Sequence, residues 1–242
     1  MIVHILAIET SAEPYSVALA NTTGVLLRHQ RSGTRGAEQA LSMIAELLAD
    51  QSITLNQVDA FAFGSGPGAF TGLRVACALA QGLAFAGERP VVPVESLRAL
   101  AYGASKQVRS PGSEPMRGSV RVMAVIDARM GQIYWAVYEG AWAEQRLAGP
   151  ALAAPEQVTG LVTQWRPQVI AGDALRAFDG AWPAPNETVR LPYLRVDASM
   201  IAELARTDLA AGRAVAARDA APEYVRDQVA LTVAQRSGGS GS

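Results

Sequence analysis

One plan is written twice in this chain. An apolar run, His4-Ile5-Leu6-Ala7-Ile8, ends in Glu9, breaks over Thr10-Ser11-Ala12-Glu13-Pro14, and resumes as Tyr15-Ser16-Val17-Ala18-Leu19-Ala20. In the second half, Val120 to Ile126 ends in Asp127, breaks over Ala128-Arg129-Met130-Gly131-Gln132, and resumes as Ile133-Tyr134-Trp135-Ala136-Val137-Tyr138. Each reads as two strands joined by a short polar turn, with an acid where the first strand ends. A plan repeated once at half the chain length predicts two related α/β halves. A solenoid would need shorter and more numerous periods.

Between the halves, residues 106–119 are polar, carry Pro111, Gly112, Pro115 and Gly118, and show no period, which marks a linker. The expected organisation is a first lobe over 1–105, this linker, and a second lobe over 120–230. Residues 237–242, Ser-Gly-Gly-Ser-Gly-Ser, have the composition of an added flexible linker and stand outside the fold. Helices are expected over 38–50, 72–86 and 95–104 in the first half and 199–211 in the second. A strand into a turn is expected over 168–173. In the first helix, Leu41, Ile44, Ala45 and Leu48 share one face, with Glu38 and Glu46 off it.

The run Gly64-Ser65-Gly66-Pro67-Gly68-Ala69-Phe70-Thr71-Gly72-Leu73-Arg74 follows the apolar 58–63 and enters a helix. Three glycines in five residues let backbone approach a ligand, and a helix N-terminus offers free N–H groups to an anion. Glycines equally make a sharp strand-to-helix turn, with Thr71 as the cap. Leu73 stands where the lysine of a Walker A loop would follow the last glycine, and the spacing is not that of a dinucleotide fingerprint. Glu9 and Asp127 can hold a metal-bound phosphate between the halves, or simply cap their turns. Glu9, Thr10, Ser11, Gly66, Gly68 and Asp127 are thus the candidate phosphate contacts, and both readings stay open. Arg129 beside Asp127 either binds an anion or pairs with that carboxylate.

The helix over 72–86 carries Leu73, Val75, Ala76, Cys77, Ala78, Leu79, Ala80, Leu83, Ala84 and Phe85, which leaves it almost no polar face. Such a helix is covered on all sides, by an internal layer or by another polypeptide. Gly72, Ala76 and Ala80 recur at four-residue spacing and would let a neighbouring helix approach closely.

Composition closes several other routes. The 242 residues are 50% hydrophobic, which excludes a disordered chain, and the net charge is -1, so no positive field grips nucleic acid. Cys77 is the one cysteine, read as a small buried residue, and His4 and His29 are the two histidines. That inventory supports neither a thiolate zinc site, a multi-histidine metal cluster nor a serine triad, and a peptidase reading fails with it. The N-terminal stretch, interrupted by Glu9, Glu13 and Pro14, is not a signal peptide, and no run reaches the roughly 18 apolar residues of a span, so a cytoplasmic location without membrane attachment is expected.

The segments Ile5 to Ser11, Gly64 to Arg74, Ile126-Asp127-Ala128-Arg129-Met130-Gly131-Gln132-Ile133-Tyr134 and the late Pro222-Glu223-Tyr224-Val225-Arg226 together resemble the bacterial TsaB (YeaZ) family of tRNA threonylcarbamoyladenosine biosynthesis proteins. The resemblance spans about residues 4–228, in the family's order. It implies an actin/hexokinase-like α/β fold of two related lobes, each with a mixed sheet and flanking helices. It also implies a non-catalytic subunit that pairs with the related transferase TsaD and works beside the ATPase TsaE, with tRNA met only through the complex. TsaD carries a two-histidine metal motif that this chain lacks. No cofactor is expected to be tightly bound, and ATP or ADP would enter at the level of the complex.

The resemblance further assigns the first lobe's helices to the dimer surface, which places Leu41, Ile44, Leu48, Leu73, Ala76, Leu79, Ala80 and Leu83 at a partner interface. Whether an isolated chain pairs with itself there stays open at this point. Many family members read His-Ser-Glu where this chain has Gly36-Ala37-Glu38, have Pro near Ser42, and carry Asp at the position of Glu9. The alternative is an ATP-dependent small-molecule kinase or ATPase of the same fold, using Glu9, Asp127 and the glycine loop.

Overall fold

The computed structural model describes residues 3–30, 37–109, 119–183 and 188–226. Gly36, most of the expected linker (110–118), the end of the expected second lobe (227–230) and the run 237–242 lie outside the described residues.

The doubled hairpin becomes a doubled sheet. The first contains β1 (Ile5–Glu9), β2 (Ser16–Asn21), β3 (Gly24–His29), β4 (Ala60–Gly66) and β5 (Val91–Glu95), in the order β3-β2-β1-β4-β5. The second contains β6 (Arg121–Arg129), β7 (Gln132–Glu139), β8 (Gln145–Ala153), β9 (Val169–Ala171) and β10 (Val189–Leu191), in the order β8-β7-β6-β9-β10. In both, the first three strands form an antiparallel meander and the last two join parallel to the first. Two copies of this mixed sheet, with flanking helices, make the actin/hexokinase-like two-lobe fold.

Strand β1 is apolar from Ile5 to Ile8, before Glu9, because both its faces are buried. Leu6 and Ile8 point outward with Val17, Leu19, Phe61 and Phe63, beneath α1 (Ala37–Asp50) and α2 (Phe70–Ala86). Ile5 and Ala7 point inward with Ala18, Ala20, Ala60 and Ala62, toward the second lobe. The inner face is built mostly of alanine because two helices lie against it at close range. These are α3 (Ser96–Val108) and α6 (Ala198–Ala210), set between the sheets in one continuous core. On the far side, Met123, Val125, Ile133 and Ile170 bury against α4 (Val158–Trp165) and the single turn α5 (Ala174–Ala177).

The two central helices trade places. Helix α6, from the second half, packs along every strand of the first sheet, while α3, from the first half, reaches β6, β7 and β9 of the second. Buried Asp208 of α6 ties them, accepting from Arg98 of α3 at 2.7 Å and from Arg213 at 2.5 Å. Asp197 caps α6, its Oδ1 accepting from Ser199 N at 2.8 Å and Met200 N at 3.2 Å. Past α6 the chain returns to the first lobe, where Val215 bridges Val91. A division at 106–119 therefore separates the chain in sequence, not the packing in space.

Helix α1 buries Ala40, Met43, Ile44 and Leu47. The expected stripe of Leu41, Ile44, Ala45 and Leu48 is thus turned by one position. Leu41 and Ala45 face solvent, because Met43 and Leu47 supply an equally apolar stripe one step away. Thr71 does not cap α2. The helix begins two residues earlier than expected, at Phe70 behind Ala69, and Thr71 is an exposed residue of its first turn.

Candidate functional site

The turns at the C-terminal ends of β1, β4, β6 and β9 converge between the lobes, as open sheets of this kind require. They enclose a cavity of about 460 Å³. Its first-lobe wall includes Ser11, Gly68, Phe70 and Ser96, and its second-lobe wall Asp127, Arg129, Tyr134 and Asp173. Arg195 and residues 223–226 complete it. Acids and arginines share this lining, with no lysine among them.

The two acids of the repeated plan do the same local work. Glu9 Oε1 accepts from Ser11 N at 2.5 Å, Ser11 Oγ at 2.6 Å and Ala12 N at 3.3 Å, and so closes the β1–β2 turn. Asp127 Oδ1 accepts from Arg129 N at 2.8 Å and Oδ2 pairs with Arg129 Nη1 at 3.0 Å, and so closes the β6–β7 turn. Arg129 thus pairs with its neighbouring carboxylate, as one of its two readings held. The acids diverge in exposure. Asp127 lines the cavity, whereas Glu9 is wholly buried and is absent from its walls.

Burial pushes the Glu9 carboxyl above the usual carboxylate range, opposed by the bonds from Ser11 and Ala12 and reinforced by the charge of Asp197. Its Oε2 has no hydrogen-bond partner, and neither do the buried hydroxyls of Ser65 and Ser96. Across the lobes, Glu95 accepts from the Tyr138 hydroxyl and pairs with Arg146 at 3.1 Å. Burial raises the carboxyl of Glu95 as well.

The glycine loop is already filled by the chain itself. A Cβ at Gly64 would come 1.9 Å from Glu9 Oε2, one at Gly66 would come 2.5 Å from the Glu223 carbonyl oxygen, and one at Gly68 would come 2.6 Å from Ser11 Oγ. At Gly72 it would come 2.0 Å from the Thr10 carbonyl oxygen, while the Thr10 hydroxyl donates to the Gly72 carbonyl at 2.7 Å. Close backbone approach is what these glycines serve, and their neighbours are intramolecular. Of the six candidate phosphate contacts, Ser11, Gly68 and Asp127 reach the cavity wall, and Glu9, Thr10 and Gly66 do not. No group of three His, Cys, Asp or Glu side chains able to hold a metal occurs among the described residues.

A family model described as TsaD, tRNA N6-adenosine threonylcarbamoyltransferase, matches residues 32–232. The tRNA threonylcarbamoyladenosine biosynthesis protein TsaB of Escherichia coli K12 is 33% identical over 237 residues, covering 93% of this chain and 96% of that protein. The chain belongs to the TsaB (YeaZ) family. A crystal structure of a Pseudomonas aeruginosa protein described as similar to peptidase YEAZ is 34% identical, with a TM-score of 0.78, covering 93% of this chain and 100% of that one. A second structure, YeaZ from Pseudomonas aeruginosa, gives 34% identity and a TM-score of 0.77 over 92% of this chain and 99% of that one.

In this TsaB-family chain the over-apolar helix α2 has one face buried and one partly exposed. Gly72, Leu73, Ala76, Cys77, Ala80 and Ala84 are buried, with Ala76, Ala80 and Ala84 in the cluster over the lobe's own sheet and Cys77 against the Ala220 carbonyl. Arg74, Ala78, Gly82 and Ala86 are exposed, Val75, Leu79 and Leu83 are half-buried, and Phe85 is 76% exposed. The expected interface residues therefore separate. Ala76, Ala80 and Ile44 lie in the core beneath the helices and buried Leu73 lines the cavity, so none of the four is on the outer surface; the small residues bring α2 down on β1 and β4 instead of admitting a foreign helix. Leu41, at 43% exposure, and the half-buried Leu48, Leu79 and Leu83 remain on the surface side. Ala78, Gly82 and Phe85, exposed on this side, were not among the residues expected at the interface; Ala78 and Gly82 repeat the four-residue spacing of Ala76 and Ala80 two positions away.

No described helix is long and apolar enough to cross a membrane.

Proposed function

We propose that this chain is a non-catalytic subunit that docks a TsaD-like catalytic subunit through the outer faces of α1 and α2. In that complex it supports threonylcarbamoyl transfer to the adenosine next to the anticodon of tRNA, with a TsaE-like ATPase. The observation that carries the reading is the apolar outer side of α2, where Ala78, Gly82 and Phe85 are exposed and Val75, Leu79 and Leu83 half-buried, together with exposed Leu41 on α1 of the same lobe. Small residues at its centre give a second helix room to approach, and burial of such a surface is worth about 25 cal/mol per Å² of apolar area. The near-neutral net charge of -1 fits a subunit that meets tRNA only within the assembly. ATP or ADP enters at the level of the complex on this reading, and an isolated chain pairs with itself through the same face. The kinase or ATPase alternative draws no support from the glycine loop, whose close approaches are taken by Glu9, Ser11 and Glu223.

Co-expression with a TsaD-like subunit tests it. The two should elute as one heterodimer, and modified adenosine in tRNA should depend on both chains. Separate elution, with undiminished modification when this chain is left out, would overturn it.

A further inference from the structure

The docking surface leaves out the segment after α6, whose Pro222-Glu223-Tyr224-Val225-Arg226 was one of the runs that carried the family resemblance and whose residues 223–226 close one side of the cavity. This segment first pairs with the edge of the first sheet, Val91 N donating to Val215 O at 2.9 Å and Val215 N to Val91 O at 2.8 Å. It then crosses α2, where the Ala220 carbonyl accepts from Gln81 Nε2 at 2.9 Å. At the glycine loop, Glu223 N donates to Ser65 O at 2.7 Å. Gly66, at φ +122, leaves the space there that the Glu223 carbonyl fills. The Tyr224 ring rests 5.2 Å from that of Phe70, and its hydroxyl accepts from Arg74 Nε at 3.2 Å.

Two residues later the segment takes hold of the other lobe. Arg226 Nη2 donates to Gln132 Oε1 at 2.7 Å, Nη1 lies 3.3 Å from Met130 Sδ, and the guanidinium stands 6.0 Å from the Tyr134 ring centre. Within four residues, then, one short piece of chain grips the glycine loop on one rim of the cleft and the β6–β7 turn on the other.

We propose that residues 222–226 are a latch that ties these two rims together and occupies the glycine loop in place of a ligand. The inference does not depend on the docking reading. Its physical basis is the asymmetry of the contacts. The strap's anchors are single hydrogen bonds and partly exposed rings, Tyr224 being 43% exposed, whereas the sheets and central helices it spans are buried. A segment held this way opens locally far more often than the core unfolds, so it can release the cleft while the lobes stay folded.

Hydrogen exchange on the full-length protein, read by mass spectrometry, tests the latch. In the unaltered protein, peptides covering 220–226 should exchange well below the rate of an unstructured peptide. In the double variant Tyr224→Ala/Arg226→Ala, peptides covering 63–72 and 127–134 should both exchange about tenfold faster or more, with α6 (201–209) unchanged as the internal reference. Free-peptide exchange at 220–226 in the unaltered protein overturns the proposal, whether or not the variant folds. So does a folded double variant in which either rim keeps its original rate.

Discussion

Two substitutions two positions apart on α2 should have opposite consequences. Ala80 is 0% exposed and packs in the cluster that contains Leu6, Ile8, Phe61 and Phe63. Ala80→Asp places a carboxylate there with no cation among those neighbours, and an uncompensated buried charge costs about 3–5 kcal/mol. Against a total stability of about 5–15 kcal/mol for a folded protein, that is a large fraction. At about 2–4 °C per kcal/mol for a chain of this size, the thermal midpoint should fall by roughly 6–20 °C. Ala78→Asp puts the same group on the exposed side, where a surface change moves stability by no more than about 0.5 kcal/mol, and the midpoint by about 2 °C or less. The second variant should nevertheless lose the TsaD-like subunit, because docking would bury that charge.

Thermal unfolding followed by circular dichroism, with co-elution of the folded variants and the partner, measures both effects. An Ala80→Asp protein that melts within 2 °C of the unaltered chain would refute the assignment of the buried face. A folded Ala78→Asp protein that still co-elutes at full occupancy would refute the assignment of the outer one.

A second prediction concerns pH. Because burial raises the Glu9 carboxyl, stability is greatest where it is protonated and declines as pH rises through its elevated folded value, by at most about 1.4 kcal/mol per pH unit for one proton. Glu9→Gln keeps an oxygen for Ser11 and Ala12 and carries no charge, so urea unfolding at pH 5 and pH 8 should show a smaller decline in the variant; equal declines would remove Glu9 as the cause. A third contrasts two glycines of one helix. Gly72→Ala forces a methyl onto the Thr10 carbonyl and should cost about 1–3 kcal/mol, while Gly82→Ala meets nothing within 4 Å and should gain about 0.5–1 kcal/mol from helix propensity. Denaturant midpoints that move the same way for both would contradict the packing of α2.

The doubled hairpin was legible because its signal is local: a continuous apolar run, a polar break and an acid whose carboxylate closes its own turn within three residues. Glu9 and Asp127 show this directly, as both accept from the backbone two residues on. The same locality explains why β1, β2 and β7 fall within a residue of where the pattern put them, whereas β6 runs on to Arg129 through the first residues of the expected break, and the short β9 and β10 and the solvent-facing β3 carry weaker patterns.

What the sequence alone determined is therefore the two-lobed α/β plan and the presence of more apolar helix surface than one sheet needs. It could not say which face of α2 is spare. Ala76 and Ala80 have the same size and spacing whether they meet a foreign helix or the chain's own strands, and only the position of β1 and β4 decides between them. Nor could it say what the glycines approach, since Gly66 meets Glu223 from the far end of the chain. The exchange of α3 and α6 between lobes is of the same kind. Contacts between residues distant in sequence are fixed by how finished layers pack, and that information exists only once the tertiary structure has formed.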